Sequence, residues 1–285
     1  MASTFFSFSS LKKLALTAAV ISVSVPGFSY AQHSDNDVLP LPLRQLELLE
    51  REEDPLDPLV VMPTDIRREA IREAATSYGA RGGLAWSTYA ISKELQKRDR
   101  YLDKVFNFAQ LLIPAPSGLL IEPPIITQST NAMIIEYGAQ EAAVSDRIYN
   151  IVSNARIVTA PHNWRQYLER SWGSEIDPPP DILRPADDEE REIWIKYVNL
   201  GWKEGIVQAE EIFAEDLALL TADFQGMVRY RLLLSQGMIS PPRALQVDRG
   251  VTGDGSEMRI GDRAIQITGV PQLLTGSDEW KPANR

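Results

Sequence analysis

Apolar positions recur at helical spacing through the middle of the chain and alternate near its end. Thr64 or Asp65 can cap a helix in which Ile66, Ala70, Ala74 and Tyr78 fall four residues apart. Gly79, Gly82 and Gly83 are expected to interrupt it. A second helix is predicted from about Leu84 to Leu112, turning Trp86, Ala90, Leu95, Leu102, Val105, Phe106 and Ala109 toward a core and ending at Pro114 and Pro116. Thr159-Ala160-Pro161 opens a short helix carrying Trp164, Tyr167, Leu168 and Trp172, which stops before Pro178-Pro179-Pro180. After Asp187, Asp188, Glu189 and Glu190 the helical pattern continues through Ile193, Tyr197, Leu200, Ile212, Leu217 and Leu220. Another helix ends near Gly237, a C-cap glycine followed by Pro241 and Pro242.

Two stretches read as β-hairpins. Leu119 to Ile126 is extended by its prolines, and β-branched residues in Met133 to Tyr137 and Ile148 to Val158 flank a polar Ser145-Asp146-Arg147 turn, although Ala139 to Val144 fits a helix as well. Glu257 to Ile260 and Arg263 to Thr268 alternate about Gly261-Asp262, a two-residue loop that sets Ile260 opposite Arg263 and Met258 opposite Ile265. Those side chains and Ile267 form an apolar face expected to pack, leaving Glu257, Arg259, Ala264 and Gln266 to water. The fold class is α+β: a helix-rich globular domain with β-hairpins, one of them near the C-terminus.

The N-terminus changes the picture of where this domain works. Lys12 and Lys13 precede a 12-residue apolar run from Leu14 to Val25, then Pro26, Gly27 and Ser29-Tyr30-Ala31. This is the pattern of a secretory signal peptide, residues 1–31, cleaved before Gln32. The run is shorter than the roughly 20 residues that span a bilayer, so no transmembrane segment is expected in the mature chain. Cleavage removes two of the 29 basic side chains and none of the 39 acidic ones, leaving 27 basic and a formal charge of −12. An acidic surface repels phosphate backbones, so direct nucleic-acid binding is not expected. The absence of cysteine excludes disulfides, thiolate metal sites, a cysteine nucleophile and lipidation at the cleavage site.

Residues 32–62 read as a proline-rich acidic arm, with the globular domain at 63–285. Pro40-Leu41-Pro42 and Asp54-Pro55-Leu56-Asp57-Pro58 leave room for at most one short helix between them. Its many leucines and valines make it more apolar than a tether needs, which suits a docking peptide as well as a linker.

Candidate chemistry is sparse. His33 lies beside the cleavage site, leaving His162 at a helix entrance as the one imidazole of the folded region. That excludes a multi-histidine zinc site, and a Ser-His-Asp triad would have to use His162, which suits a surface or capping role better. A carboxylate pair remains open to composition, and an exported cell-wall hydrolase is the alternative function, but Glu136, Glu141, Glu192 and Glu204 all have ordinary surface explanations. The run from Asp187 to Glu190 suits helix-dipole complementation better than a metal, and Lys97, Arg98 and Arg100 read as a solvated face. Residues 248–270 hold five glycines and three aspartates, yet match neither the calcium-loop pattern nor a phosphate-binding one. The loop is expected to hold its own strands and to offer a partner-binding edge. No catalytic, cofactor-binding or metal residue is assigned, no cofactor is expected, and the chain is read as not an enzyme. Of the six tryptophans most are expected in the core, with one or two turned to a partner.

Trp164-Arg165-Gln166-Tyr167-Leu168, EREIWIKYVNLGWKEGIVQA at 190–209, DFQGMVRYRLLLSQGMISPP at 223–242 and RGVTGDGSEMRIGDRAIQIT at 249–268 occur in one order. With SYGARGGLAWSTYAI at 77–91 and LIEPPII at 120–126, they resemble the DotC family, called TraI in I-type conjugative plasmids, from about residue 64 to 280. The resemblance implies a structural subunit of the outer-membrane core complex of a type IVB (Dot/Icm) secretion or conjugation system. It further implies a periplasmic, outer-membrane-associated protein that assembles a ring-forming channel with a DotD-like lipoprotein and a DotH-like core-complex protein. It carries over no catalytic residue. Family members are commonly lipoproteins, and Ser29-Tyr30-Ala31 without a cysteine departs from that pattern.

Overall fold

The computed structural model of the protein describes residues 39–52, 64–135, 142–170 and 176–280. The signal peptide expected at residues 1–31 lies outside the described residues. The chain divides into two compact units, Met1–Lys93 with Ser171–Ala214 and Glu94–Arg170 with Glu215–Arg285. Helices and antiparallel hairpins, one of them C-terminal, make an α+β fold.

The first unit is built on two helices, α2 (Thr64–Lys97) and α5 (Asp188–Ser235), of which it holds the residues up to Lys93 and Ala214. The glycines at 79, 82 and 83 do not interrupt α2. They let it touch α5. A Cβ at Gly79 would stand 2.2 Å from the carbonyl oxygen of Val198, and one at Gly83 2.1 Å from that of Trp202. From the other side, a Cβ at Gly201 would stand 2.0 Å from the Thr76 oxygen and one at Gly205 2.0 Å from the Ala80 oxygen. Each helix thus presents two glycines four residues apart on one face. The helix-propensity cost of about 1 kcal/mol per glycine is offset by a backbone approach that no other residue allows.

This contact also corrects the buried faces. Ile71, Ala75 and Tyr78 face inward on α2 while Ile66 is exposed, and on α5 the buried set is Trp194, Val198, Trp202 and Ala209 while Leu200 is exposed. The apolar spacing alone did not give the rotation of either helix. Tyr78 and Trp194 meet with ring centroids 6.1 Å apart, and Trp86 meets Trp202 at 6.2 Å.

Residues 39–52 pack into the same core. The short helix α1 (Leu43–Glu47) lies between the two proline segments, as expected, and buries Leu46 against Gly82 and Trp202. The indole Nε1 of Trp194 donates to the Leu46 carbonyl at 3.0 Å. Burying a leucine in this way contributes about 2 kcal/mol.

The acidic run at 187–190 starts α5. The Glu190 N–H donates to Asp187 Oδ1 at 2.8 Å, and Glu190 Oε2 accepts from the Ala186 N–H at 2.9 Å, a reciprocal cap. Arg67 closes on the Glu190 carboxylate at 2.5 and 2.9 Å and donates to the carbonyl of Ile182 at 2.9 Å. Burial pushes the Glu190 carboxyl up, but the Arg67 and Ala186 hydrogen bonds outweigh it and hold it below the ordinary carboxylate range.

In the second unit the predicted long helix gives way after Lys97 to α3 (Asp99–Val105) and a 3-10 turn at Phe108–Gln110, and Val105 and Ala109 face solvent. Strands β1 (Ile113–Pro114), β2 (Leu120–Glu122) and β5 (Arg156–Val158) form an antiparallel sheet in the order β1-β2-β5. The hairpin of β3 (Ile125–Ile135) and β4 (Ala142–Ser153) has Ser145-Asp146-Arg147 inside a strand, with Ser145 paired to Ala132 and Arg147 to Thr130. The expected turn residues are therefore strand, and residues 136–141 lie outside the described ones. Gly226 of α5 lets β3 come close, since a Cβ there would stand 2.6 Å from Ile125 Cγ2. Ile126, Tyr230, Leu233 and Ile239 form the core at this point. Helix α5 is a single helix of 48 residues, closed just past its end by Gly237 (φ 69°) with the Met238 N–H bonded to the Leu233 carbonyl at 2.9 Å. The predicted helix at 159–172 contracts to α4 (Arg165–Leu168), and Trp172 lies outside the described residues.

Gly83→Ala and Gly201→Ala should each lower stability by about 1–3 kcal/mol in spite of better helix propensity. Gly276→Ala, where a Cβ meets nothing within 4 Å, should leave the thermal midpoint unchanged in the same circular-dichroism melts. The second prediction concerns acid. Because the Glu190 pKa is lowered on folding, its contribution is present above the ordinary value of 4.5 and is lost as pH falls through the lower folded value. Glu190→Gln should therefore be less stable at neutral pH and should show a shallower loss of stability toward low pH.

Candidate functional site

The glycine-rich stretch near the C-terminus forms one long hairpin, not the short one that Gly261-Asp262 predicts. Strand β6 (Arg243–Gly253) pairs antiparallel with β7 (Met258–Gly269), and Gly261-Asp262 lies inside β7. The turn is Asp254 to Glu257. Asp254 Oδ1 accepts from the Ser256 N–H at 3.0 Å, the Ser256 hydroxyl at 2.7 Å and the Glu257 N–H at 3.1 Å. The Ser256 side-chain and backbone bonds, with that of Glu257, hold the Asp254 carboxyl below its ordinary value. An aspartate so occupied closes its own turn.

The remaining glycines have conformational work. Gly250 (φ 71°) and Gly261 (φ 74°) sit where the register shifts between Asp248 and Val251, the left-handed positions that a bulge requires. Below the ladder the chain continues to pair, with Ile239 bridging Leu273 and the Leu274 N–H donating to the Met238 carbonyl at 2.9 Å. The base of the ribbon is thereby fastened to the core around Tyr230 and Leu233.

The tip carries apolar side chains that nothing in the unit covers. Val251 pairs with Ile260, and Met258 lies two residues along the same strand, so the three share a face. They are 63%, 76% and 69% exposed. The sequence reading put Met258 and Ile260 on a packed face; the structure turns them outward because their cross-strand partners are Gly253 and Val251, not Ile265 and Arg263. Leu245 and Val247, nearer the base of β6, are exposed as well. Val251, Met258 and Ile260 thus form an apolar patch open to water on a fastened ribbon. The alternation through Ala244, Leu245, Gln246 and Val247 was the signal for β6 that sequence reading passed over.

A second cluster gathers the polar groups. Glu122 on β2 is 3% exposed and faces its strand partner Arg156, whose Nε lies 3.0 Å from Oε1. His162 Nε2 stands 3.0 Å from Glu122 Oε2, and His162 Nδ1 is 2.9 Å from Gln166 Oε1. The imidazole also lies 6.1 Å from the rings of Phe108 and Tyr167. Its polar partners are Glu122, Arg156 and Gln166, none of them the serine hydroxyl that a Ser-His-Asp triad requires. Tyr167 donates to Asp223 at 2.9 Å; burial, then that bond, push its phenol far up, so it acts as a donor and not a base. The cluster ties β2, β5 and the segment before α4 together.

The other singled-out residues do not converge. Glu136 and Glu141 lie outside the described residues, while Glu192 and Glu204 are exposed on α5. Arg98 and Lys97 turn to Glu94 at 2.7 and 3.4 Å, and Arg100 is exposed. Among the described residues no group of three or more His, Asp or Glu side chains could hold a metal ion, and no helix is long and apolar enough to cross a membrane. Trp164 and Trp194 are buried, whereas Trp280 is an exposed indole.

Residues 65–282 match the family model described as "Type IV secretory system, conjugal DNA-protein transfer". The chain belongs to this family, the TraI family of type IV secretion. No individual curated protein matches the chain. As a member of the TraI family the protein is a subunit of a type IV secretion system connected with conjugal transfer, and so of cell-envelope machinery.

Met258→Ser with Ile260→Ser should shift the unfolding free energy by no more than about 0.5 kcal/mol, since both side chains already meet water. Unaltered melts of the double variant would confirm that this face carries no folding energy.

Proposed function

We propose that the protein is a non-enzymatic structural subunit of the outer-membrane core complex of a type IVB secretion or conjugation system. It is exported by cleavage after Ala31 and helps to assemble the channel with a DotD-like lipoprotein and a DotH-like protein. The match of residues 65–282 to the conjugal-transfer family carries this reading. The apolar tip of β6 and β7 supports it, because ring subunits bury such side chains against neighbours. An acidic chain suits a wall of the channel better than a grip on the DNA passing through. Without a cysteine to acylate, its hold on the outer membrane is through an anchored partner.

A carboxylate hydrolase would need a general acid with a raised pKa, whereas Glu190, one of the buried acids of α5, is held ionised by Arg67. Tagged protein recovered from a crosslinked envelope fraction should bring DotD-like and DotH-like proteins from the outer membrane, and the Met258→Ser/Ile260→Ser variant should lose at least one of them. Recovery of the protein alone and soluble, with turnover in a muralytic assay, would overturn the proposal.

A further inference from the structure

Glu122 is the most deeply buried acid among the described residues, and only half of its carboxylate is hydrogen-bonded. Oε1 accepts from Arg156 Nε at 3.0 Å and lies 2.9 Å from Arg156 Nη2. Among the described residues Oε2 receives no hydrogen bond, although His162 Nε2 stands 3.0 Å away. A buried acceptor left in that state costs free energy that a donor would recover.

The cause lies on the imidazole. Gln166 Oε1, which also accepts from the Asn163 N–H at 3.5 Å, is 2.9 Å from His162 Nδ1 and so takes the hydrogen of that nitrogen. A neutral ring with its hydrogen on Nδ1 keeps only a lone pair on Nε2. Arg156 Nη2 donates to that lone pair at 2.6 Å. Nε2 therefore stands between a donor and an unsatisfied acceptor, and it cannot serve both at once.

We propose that His162 is a proton-operated latch between β2 and the segment leading into α4. With a proton on Nε2 the ring no longer accepts from Arg156, and its new N–H is within reach of Glu122 Oε2 for a charge-assisted bond. Arg156 keeps Oε1, and its half-exposed guanidinium turns the freed N–H to water. A bond to a half-exposed arginine is thus exchanged for one to a buried carboxylate, so acid tightens the latch and base loosens it. The charged groups that face the ring are Glu122 from β2 and Arg156 from β5. Gln166 and Tyr167 of α4 and Phe108 of the 3-10 turn supply the rest of its surroundings, and Asp223 of α5 stands behind Tyr167, whose hydroxyl donates to it. Histidine is the side chain that ordinarily changes charge between about pH 5 and 8, which sets the range in which the latch works. The inference concerns contacts inside the second unit and stands apart from the function proposed above.

Two readouts on the full chain test the latch. In nitrogen-15 spectra of histidine-labelled protein, the His162 signal, assigned by its loss in His162→Gln, should show hydrogen on Nδ1 alone at about pH 8 and on both nitrogens at about pH 5. Hydrogen on Nε2 alone at the higher pH overturns the proposal. Amide hydrogen exchange across residues 159–168, corrected for its intrinsic pH dependence, should be several-fold slower at the lower pH. That difference should vanish in His162→Gln, whose amide does not change charge, and in Glu122→Gln, which removes the buried charge. Glu190, held below its ordinary 4.5, stays ionised through this range and does not contribute. Equal protection at the two pH values overturns the latch, as does a difference that survives in His162→Gln. Should either variant fail to fold, the spectra and exchange of the unsubstituted chain decide alone.

Discussion

Two helical backbones held in direct contact by glycine set the geometry of the first unit. With Gly79 and Gly83 on one helix and Gly201 and Gly205 on the other, each backbone lies against the carbonyl oxygens of its neighbour, and no methyl group fits between. That closeness fixes the rotation of both helices and therefore which side chains are inside. It brings Tyr78 to Trp194 and Trp86 to Trp202, and it leaves the notch at Gly82 that Leu46 occupies. The N-terminal segment packs as it does because the helix pair is narrow there.

The same glycines show where sequence reasoning stops. A cluster such as Gly79, Gly82 and Gly83 has low helix propensity, and propensity read locally ends the helix. What overrides it is a tertiary contact with residues more than a hundred positions away, whose signal was the matching four-residue spacing of Gly201 and Gly205 in the second helix. Glycine misled the hairpin reading in a related way: Gly261-Asp262 has turn chemistry, but a left-handed glycine serves a bulge equally well. The α+β class, the helix start at Asp187, the short helix between proline segments and the glycine stop at 237 were legible because each rests on a local backbone rule. The apolar tip was not, since its side chains follow the hydrophobic pattern of a packed strand and only the register shows that nothing covers them.

Charge in both units is arranged to fasten the chain to itself. Arg67 binds Glu190 and the loop before it, Arg156 and His162 bracket Glu122, and Arg170 closes on Asp216 with two bonds of 2.6 Å. Each acid joins segments distant in sequence, and each is occupied by a donor. His162 falls into this pattern: it was the residue with most catalytic potential by composition, and it serves as one post of a polar clamp.

The bulges at Gly250 and Gly261 bear on a problem of storage. A subunit must exist for some time before its neighbours arrive, and a straight two-stranded ribbon with an aliphatic tip would be a template for ribbons of its own kind. Two adjacent bulges raise the local twist and break the regular spacing of the outward N–H and C=O groups, so another ribbon cannot lay itself alongside in register. The bulges thereby make self-pairing costly for a ribbon whose Val251, Met258 and Ile260 stand in water.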